Sequence, residues 1–336
     1  MDSLTHTVLG ACLGEVIAGK KIGKKAMLWG ALAANIPDID VITNLWMTHA
    51  DSLLAHRGFT HSILFALLAP PLLAWLSRKK FSANGMNFKI WLLIWVTGIV
   101  SHNFIDALTA YGTGWFEPFN HYRVTFNVLF VADPFYTIAL LVSTIALLII
   151  KRTGSKRIVW ANSALVISTL YIFYAFSNKL QVDGIVRNKI EKDTIAVTDY
   201  FSTPTPLNNF LWYIVLNTDS GYQISYHSVF DKSNDLVFHY VPKRDSLLIP
   251  YRSNEEVRKL VRFAAGYYAL EQKNDTIEFS DLRFGQIGGW YSADAPFVFR
   301  YYLNENLDND LLIQRGRMDA SSGEGLRTLI ERIKGN

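Results

Sequence analysis

A single cysteine, Cys12, occurs in the chain, so neither an intrachain disulfide nor a zinc site built from several cysteines can form. Charge is scarce as well: Asp, Glu, Lys and Arg make up 18% of the sequence against 50% for apolar and aromatic types, a balance that is unusual for a soluble protein. The net charge of +4 is too small to indicate a nucleic-acid partner. These shortages exclude a disulfide-stapled domain and favour a membrane protein.

Apolar residues concentrate before residue 177, and ordinary soluble proportions of polar residues return after it. Several of the apolar segments approach the roughly 20 residues that cross a bilayer core. The six segments are 3–19, 26–45, 62–77, 90–110, 133–150 and 158–176. The first carries Glu15 and is either a full span or a re-entrant segment. The N-terminus lacks the features of a cleaved secretory signal.

The predicted fold is a mainly α polytopic membrane helical bundle of about five to six membrane segments, followed by a soluble, β-rich α+β domain. The first domain covers residues 1–177 and the second 178–336. In the second domain, the sequence predicts strands near 194–200, 210–217, 222–230, 276–284 and 296–303, and helices near 254–265 and 322–334.

Lysine and arginine are distributed unevenly over the loops between the apolar segments. Three loops hold twelve of these residues, and the two loops between them hold only Arg57 and Arg123. In chain order the five loops are 20–25, 46–61, 78–89, 111–132 and 151–157. Positively charged loops stay in the cytoplasm. If all six segments cross, the N-terminus, the loops with Arg57 and Arg123 and the region after Phe176 are therefore predicted to be extracytoplasmic.

Histidine and aspartate gather in five short runs. The runs are Thr5-His6, Pro37-Asp38-Ile39-Asp40, His56-Arg57-Gly58-Phe59-Thr60-His61-Ser62, His102-Asn103-Phe104-Ile105-Asp106 and Asp133-Pro134. The topology derived from lysine and arginine alone places all five runs at the same, extracytoplasmic end of the bundle. Two independent features of the sequence therefore predict one common site.

His102 and Asp106 are four residues apart in an apolar helix, so their side chains project from one face about one turn apart. They predict a pair of metal ligands, and the alternative is a buried hydrogen bond that joins two helices. His56 and His61 flank Gly58, which allows a tight turn that directs both rings inward. The alternative is a pair of loop histidines in water.

Asp38 and Asp40 follow Pro37 at the end of an apolar segment, where two carboxylates can serve neighbouring ions. The alternative is simple solvation of a helix end. His6 is either a further ligand or a residue next to a Thr5 cap. Asp133-Pro134 is typical of a helix start, with Asp as the cap and Pro in the first turn.

These residues offer imidazoles and carboxylates without thiolates, a donor set that suits zinc, with manganese and iron as alternatives. The predicted ligands are His6, Asp38, Asp40, His56, His61, His102 and Asp106. They exceed the needs of one tetrahedral ion, so two or three ions are expected, an arrangement typical of displacement at phosphorus. Asp40 and Arg57 are the candidate catalytic residues. Arg57 would clamp a phosphate oxygen, or alternatively rest among lipid headgroups.

With these residues in view, the sequence resembles the YdjM/YfhP-type family of bacterial inner-membrane proteins, described as membrane-bound metal-dependent hydrolases. The resemblance lies in residues 2–6, 36–40, 56–62, 101–109 and 133–134, and the soluble tail resembles the YfhP-like branch at 203–212 and 279–284. It implies a multi-pass protein of the bacterial inner membrane that performs metal-dependent hydrolysis, with the seven ligands above as matching positions. A looser similarity to zinc-dependent phospholipase C and P1-type nucleases favours a phosphodiesterase-like reaction.

The function predicted from the sequence is hydrolysis of a phosphoester in a lipid or lipid-linked small molecule that reaches the site from the bilayer at the outer face. One alternative is a metal-binding membrane transporter or carrier, although the sequence contains no internal repeat. The other is a structural or regulatory membrane protein whose His–Asp contacts only join helices.

Overall fold

The computed structural model of the protein describes residues 1–81, 85–151, 154, 156–274, 276–303, 312–315 and 323–335. Parts of the predicted loops 78–89 and 151–157 lie outside these residues. The chain divides into two units. The first consists of Met1–Ile42, Ala55–Phe176 and Pro206–Asn208, and the second of Thr43–Leu54, Ser177–Thr205 and Asn209–Asn336.

The N-terminal half is helical. Its elements are α1 (Ser3–Ile22), α2 (Lys25–Asn35), a 3-10 helix (Pro37–Leu45), α3 (His49–Ala55), a short 3-10 turn (Phe59–His61), α4 (Ile63–Lys80), α5 (Phe88–Ala107), α6 (Pro134–Ile149) and α7 (Lys156–Asp193). Asp133 caps α6 by accepting the backbone N–H of Phe135 at 2.9 Å, and Pro134 occupies the first turn. The predicted helix start at Asp133-Pro134 is therefore confirmed. The N-terminal cap of α1 is Asp2 and not Thr5. The Asp2 carboxylate accepts a hydrogen bond from the backbone N–H of Thr5.

Two of the described helices, α5 and α7, are long and apolar enough to cross a membrane. A third candidate span results if α4 is counted together with His49–His61, from which it is bent by 60°. The prediction of five to six membrane segments is therefore confirmed only as a helical half with two to three candidate spans. The predicted segment 26–45 is not one helix, because α2 ends at Asn35 and Pro37, which has no N–H to donate, opens a separate 3-10 helix.

Helices α1 and α2 pack through glycines. A Cβ atom on Gly30 would lie 2.0 Å from the carbonyl oxygen of Gly10, and one on Gly14 would lie 2.1 Å from that of Ala26. The clashing atoms belong to the backbone, so they cannot move away as a flexible side chain could. Both positions therefore require glycine so that the two helices can approach closely.

We expect Gly30→Ala to lower the thermal unfolding temperature of the detergent-solubilised protein, because overpacking costs about 1–3 kcal/mol. Gly184→Ala is the matched control: Gly184 lies within α7, and a Cβ there meets nothing within 4 Å. The control should be neutral or slightly stabilising, since alanine favours a helix over glycine by roughly 0.5–1 kcal/mol. Equal behaviour of the two variants would contradict the close packing of α1 on α2.

Glu15 forms a buried ion pair with Arg157 at the start of α7. An Nη2–Oε2 distance of 2.5 Å joins them, and Nη1 of Arg157 donates to the carbonyl oxygen of Ile150 at 3.0 Å. Glu15 lies on α1, within the first of the predicted apolar segments. The structure assigns it to Arg157, which also satisfies the carboxyl end of α6.

The described residues of the second unit form two four-stranded antiparallel sheets. In sheet order, the first is β1 (Asp199–Pro204), β2 (Leu211–Asn217), β3 (Gly221–Ser228) and β4 (His239–Pro242), and the second is β5 (Tyr268–Lys273), β6 (Thr276–Gln286), β7 (Phe297–Leu303) and β8 (Leu312–Arg315). Helices α8 (Glu255–Phe263) and α9 (Gly323–Ile333) accompany them. The predicted β-rich C-terminal region is thus confirmed, and a core that includes Tyr213, Ile224 and Leu282 lies between the sheets.

The carboxyl end of α7 belongs to this unit. Val182, Ile185 and Val186 are buried in one cluster with Trp212 and Ile214 of β2. The spacing of these apolar residues, three and four apart, is that of one helical face. The helix therefore continues for seventeen residues beyond the predicted end of the last apolar segment at residue 176.

A short excursion of the chain, Thr43–Leu54, also packs in the second unit. Lys259 of α8 lies 2.8 Å from the carboxylate of Asp51, and the hydroxyl of Thr48 donates to Glu256 at 2.9 Å. This excursion lies between Asp40 and His56 in the sequence. The residues that join the predicted site segments of Asp40 and His56 are therefore held in place by contacts with α8.

Candidate metal centre

Four segments of the chain bring the predicted ligands together. The 3-10 helix Pro37–Leu45 carries the two aspartates, the turn 56–61 carries two histidines, α5 carries His102 and Asp106 on one face, and α1 carries His6. The side chains of His6, His61, His102 and Asp106 are completely buried. Ionisable groups are costly to bury unless they are paired or bind a metal, so this cluster needs charge compensation.

One ligand atom from each of Asp38, His61, His102 and Asp106 lies within 4.8 Å of the other three. The Nε2 atoms of His61 and His102 are 2.9 Å apart. Asp38 Oδ1 is 3.5 Å from Nε2 of His61 and 3.4 Å from that of His102, and Asp106 Oδ2 is 3.4 and 3.5 Å from the same atoms. For a zinc ion about 2.0–2.1 Å from each ligand, a tetrahedron has edges of about 3.3–3.4 Å. Four of the six donor–donor distances are therefore close to those edges, and this group could hold a metal ion.

Hydrogen bonds orient both imidazoles toward this point. Nδ1 of His102 lies 2.6 Å from the carbonyl oxygen of Ala34, which can only accept, so Nδ1 donates and the neutral ring has its lone pair on Nε2. The Thr60 hydroxyl donates to Asp40 and lies 3.1 Å from Nδ1 of His61, whose hydrogen it can accept. Two lone pairs and two carboxylates thus converge, an arrangement that a cation stabilises.

Asp38, Asp40 and His56 form a second group of potential ligands. It shares Asp38 with the first group and is more open, with the side chains of His56 and Asp38 exposed by 29% and 19%. Nδ1 of His56 lies 3.0 Å from Oδ1 of Asp40. The second carboxylate oxygen of Asp40 accepts the Arg57 backbone N–H and the Thr60 hydroxyl, both at 2.9 Å. Asp40 therefore fixes the turn that carries both histidines.

His6 lies beside the first group rather than within it. Its Nε2 atom is 3.0 Å from Oδ1 of Asp106, and its ring stacks on His102 with 3.8 Å between the centroids. The backbone amino group of Met1 contacts the same Asp106 oxygen. Asp106 thus directs one oxygen to His6 and Met1 and the other to the ligand group. The assignment of His6 as a metal ligand stays a prediction.

Arg57 is 3% exposed and faces inward. Its Nε lies 3.0 Å from Oδ2 of Asp106, and its Nη1 donates to the hydroxyl of Thr109 at 2.8 Å. The residue has a left-handed backbone with φ of 60°, held by the contact of its N–H with Asp40 and of its carbonyl with the Gly114 N–H at 2.8 Å. In the structure Arg57 is the counter-ion of Asp106, and its role as a phosphate clamp stays a prediction.

Several contributors were not found from the sequence. Thr60 and Thr109 orient site residues, but hydroxyl residues of this kind are common and carry no distinctive spacing. Arg123 donates from Nη2 to the carbonyl oxygen of His56 at 2.9 Å, and Tyr111 lies with its ring centroid 5.4 Å from that of His56. Arg123 could have been noticed as the second of only two basic residues in the predicted extracytoplasmic loops.

The remaining N-terminal histidines lie apart from both ligand groups among the described residues. His121 is 57% exposed and pairs with Glu117 at 2.8 Å. His49 lies in the second unit, with its ring 6.0 Å from that of Tyr301. Neither position offers a buried set of donors.

The YdjM inner membrane protein family matches residues 1–182, which is more than half of the chain. The chain belongs to the YdjM family. The matched range contains all seven predicted ligands. Membership in the YdjM family, together with the apolar helices, indicates a bacterial inner membrane protein.

Two relatives illustrate the extent of the similarity. Inner membrane protein YbcI of Escherichia coli (strain K12) is 31% identical over 122 residues, which are 36% of this chain and 69% of that protein. The Bacillus subtilis (strain 168) protein called uncharacterized protein YfhP is 25% identical over 328 residues, 91% of this chain and 92% of its own. No solved structure matches the chain. The similarity to YfhP thus extends through both units, whereas the YdjM family match ends at residue 182.

Proposed function

We propose that this member of the YdjM family is a membrane-embedded, metal-dependent hydrolase that cleaves a phosphoester of a lipid or lipid-linked substrate at the outer face of the inner membrane. The observation that carries the proposal is the convergence of two buried imidazoles and two carboxylates, with one ligand atom of each within 4.8 Å of the others. A merely structural His–Asp contact needs one donor and one acceptor, and it does not need two Nε2 atoms 2.9 Å apart.

In this proposal Asp38, His61, His102 and Asp106 hold one divalent ion, and Asp38, Asp40 and His56 hold a second. Zinc suits the donor set best, with manganese and iron as alternatives. When bound, such ions supply Lewis acidity toward water and toward a phosphoryl oxygen.

The chain's own residues orient the donors and balance their charge. The Ala34 carbonyl fixes the His102 ring, and Asp40 with Thr60 fixes the His61 ring, so neither ring must reorganise when a substrate binds. Arg57 offsets the Asp106 charge at 3.0 Å. These partners surround the site with groups that keep the donor atoms in one geometry.

The surroundings support an amphiphilic substrate. Ile39, Val41 and Ile42 alternate with or follow the two aspartates on the 3-10 helix, and about half of each apolar side chain is exposed. Apolar surface of this kind beside ligand carboxylates suits the boundary between headgroups and acyl chains. The extracytoplasmic position follows from the distribution of lysine and arginine and is part of the proposal.

Elemental analysis of the full-length, detergent-purified protein tests the proposal. We expect at least one tightly bound transition metal per chain, removal of that metal by a chelator, and loss of hydrolysis that added zinc restores. Hydrolysis is measured against a panel of phospholipids and polyprenyl phosphates. A metal content near zero in protein purified without chelator would refute the proposal. Metal uptake into proteoliposomes that depends on His102, without hydrolysis, would favour a transporter instead.

A further inference from the structure

The loop after α5 packs against the segment that carries His56 and His61. The backbone N–H of Gly114 donates to the carbonyl oxygen of Arg57 at 2.8 Å. From the same loop, Nη2 of Arg123 donates to the carbonyl oxygen of His56 at 2.9 Å. The loop therefore fixes the guanidinium of Arg123 directly beside one of the candidate ligands.

Tyr111 lies between two guanidinium groups. The Cζ atom of Arg57 is 4.8 Å from the centre of the Tyr111 ring, and that of Arg123 is 5.5 Å away. Both distances are within the range of a cation–π contact. Arg57 is buried and faces Asp106, whereas Arg123 is half-buried. Of these two cations, Arg123 is therefore the one nearer to solvent.

The partly exposed edge of the two ligand groups includes His56, whose carbonyl oxygen accepts a hydrogen bond from Arg123. His61, His102 and Asp106 are completely buried, while His56, which Arg123 contacts, is 29% exposed. An anion that approaches from this side meets the negative charge of Asp38 and Asp40. A cation beside this edge offsets that repulsion, and a guanidinium forms charge-assisted hydrogen bonds to phosphate oxygens.

We propose that Arg123, with Tyr111 and His56 beside it, forms an anion subsite that receives the phosphate group of the substrate at the entrance to the metal centre. This inference rests on the proposed hydrolase function and assigns the recognition of phosphate to a residue other than Arg57. Tyr111 supports the guanidinium of Arg123 through its ring face.

The loop itself indicates the source of the phosphate group. Phe116, Phe119 and Tyr122 are 46%, 84% and 64% exposed, and exposed aromatic side chains of membrane proteins concentrate at headgroup level. Arg123 follows directly after Tyr122. A lipid headgroup and free inorganic phosphate share the chemistry that Arg123 recognises, and the aromatic residues favour the lipid.

The test measures phosphate binding by calorimetry on the full-length, zinc-loaded protein in detergent, independently of turnover. We expect Arg123→Gln to weaken the binding of inorganic phosphate about tenfold, equivalent to about 1.4 kcal/mol, and Arg123→Lys to weaken it less, because lysine keeps the charge but lacks the fork. Lys89→Gln, an exposed charge at the other predicted membrane face, is the matched control. Zinc content is measured for each variant, so an effect on phosphate is separated from loss of metal.

A second arm replaces inorganic phosphate with short-chain phosphatidic acid. Tighter binding of this lipid than of phosphate, with the same loss in Arg123→Gln, supports a lipid headgroup, and equal binding of the two supports free phosphate as the ligand of the subsite. Wild-type affinity in Arg123→Gln at unchanged zinc content would overturn the inference, as would absence of phosphate binding to the zinc-loaded wild type. The proposed function fails by a different result, the absence of metal or of metal-dependent hydrolysis.

Discussion

On the proposed function, replacing His61 by alanine should remove the metal and reduce hydrolysis to background, because one of the four ligand atoms of the buried group is lost. His61 contributes Nε2 as a ligand atom of the buried group, and its Nδ1 atom lies 3.3 Å from the carboxylate of Asp40. Loss of an outer hydrogen-bond partner alone typically lowers metal affinity about 10–100-fold. Loss of the ligand itself should exceed that effect. Metal content and turnover of the purified variant are the measurements.

His121→Ala is the matched control for this substitution. It removes an imidazole from the same half of the chain, but from a 57% exposed position that pairs only with Glu117 among the contacts described above. Its metal content should equal that of the wild type. If His61→Ala retained full metal content with a native unfolding temperature, the four-donor group would not be the metal site.

Arg57→Met should produce the largest loss of stability. The substitution keeps much of the side-chain volume but leaves the buried carboxylate of Asp106 without the guanidinium that lies 3.0 Å away. Removing one partner of a buried ion pair costs about 3–5 kcal/mol. In thermal unfolding of the detergent-solubilised protein this corresponds to a decrease of roughly 10 °C. Arg57→Lys should lose less, because it keeps the charge.

The control for this prediction is Arg327→Met in α9, where the arginine side chain is 75% exposed. Exposed ion pairs contribute about 0–1 kcal/mol, so this variant should unfold close to the wild-type temperature. Similar unfolding of both variants would show that Arg57 does not compensate Asp106.

Local signals in the sequence predicted local structure well. The start of α6 could be predicted because Asp133 and Pro134 satisfy a helix terminus by themselves. The pairing of His102 with Asp106 follows from the helical period, which places residues four apart on one face. The resemblance to the YdjM family was confirmed for the same reason, since short runs of residues carry it.

Features that depend on distant contacts could not be predicted. β4, β5 and β8 were not predicted. Each lies at the edge of its sheet among the described strands, and β5 exposes Glu271, Gln272 and Lys273, so it shows no clear apolar alternation. The end of α7 was missed because its apolar residues match a surface on β2 rather than the bilayer. The inward orientation of Arg57 toward Asp106 could not be predicted either, because the left-handed backbone of Arg57 is fixed by contacts with Asp40 and Gly114.

The attachment of Thr43–Leu54 to the second unit bears on attempts to dissect this protein into working halves. A fragment that stops before residue 177 would retain every candidate ligand, yet it would lack Lys259 and Glu256, which hold Asp51 and Thr48. The segment Thr43–Leu54 between Asp40 and His56 would then lose these contacts, and Asp40 and His56 would be held less firmly in position. If such a fragment failed to bind metal, the cause would be the lost contacts of Thr43–Leu54. The result would not indicate that the missing half contributes a ligand.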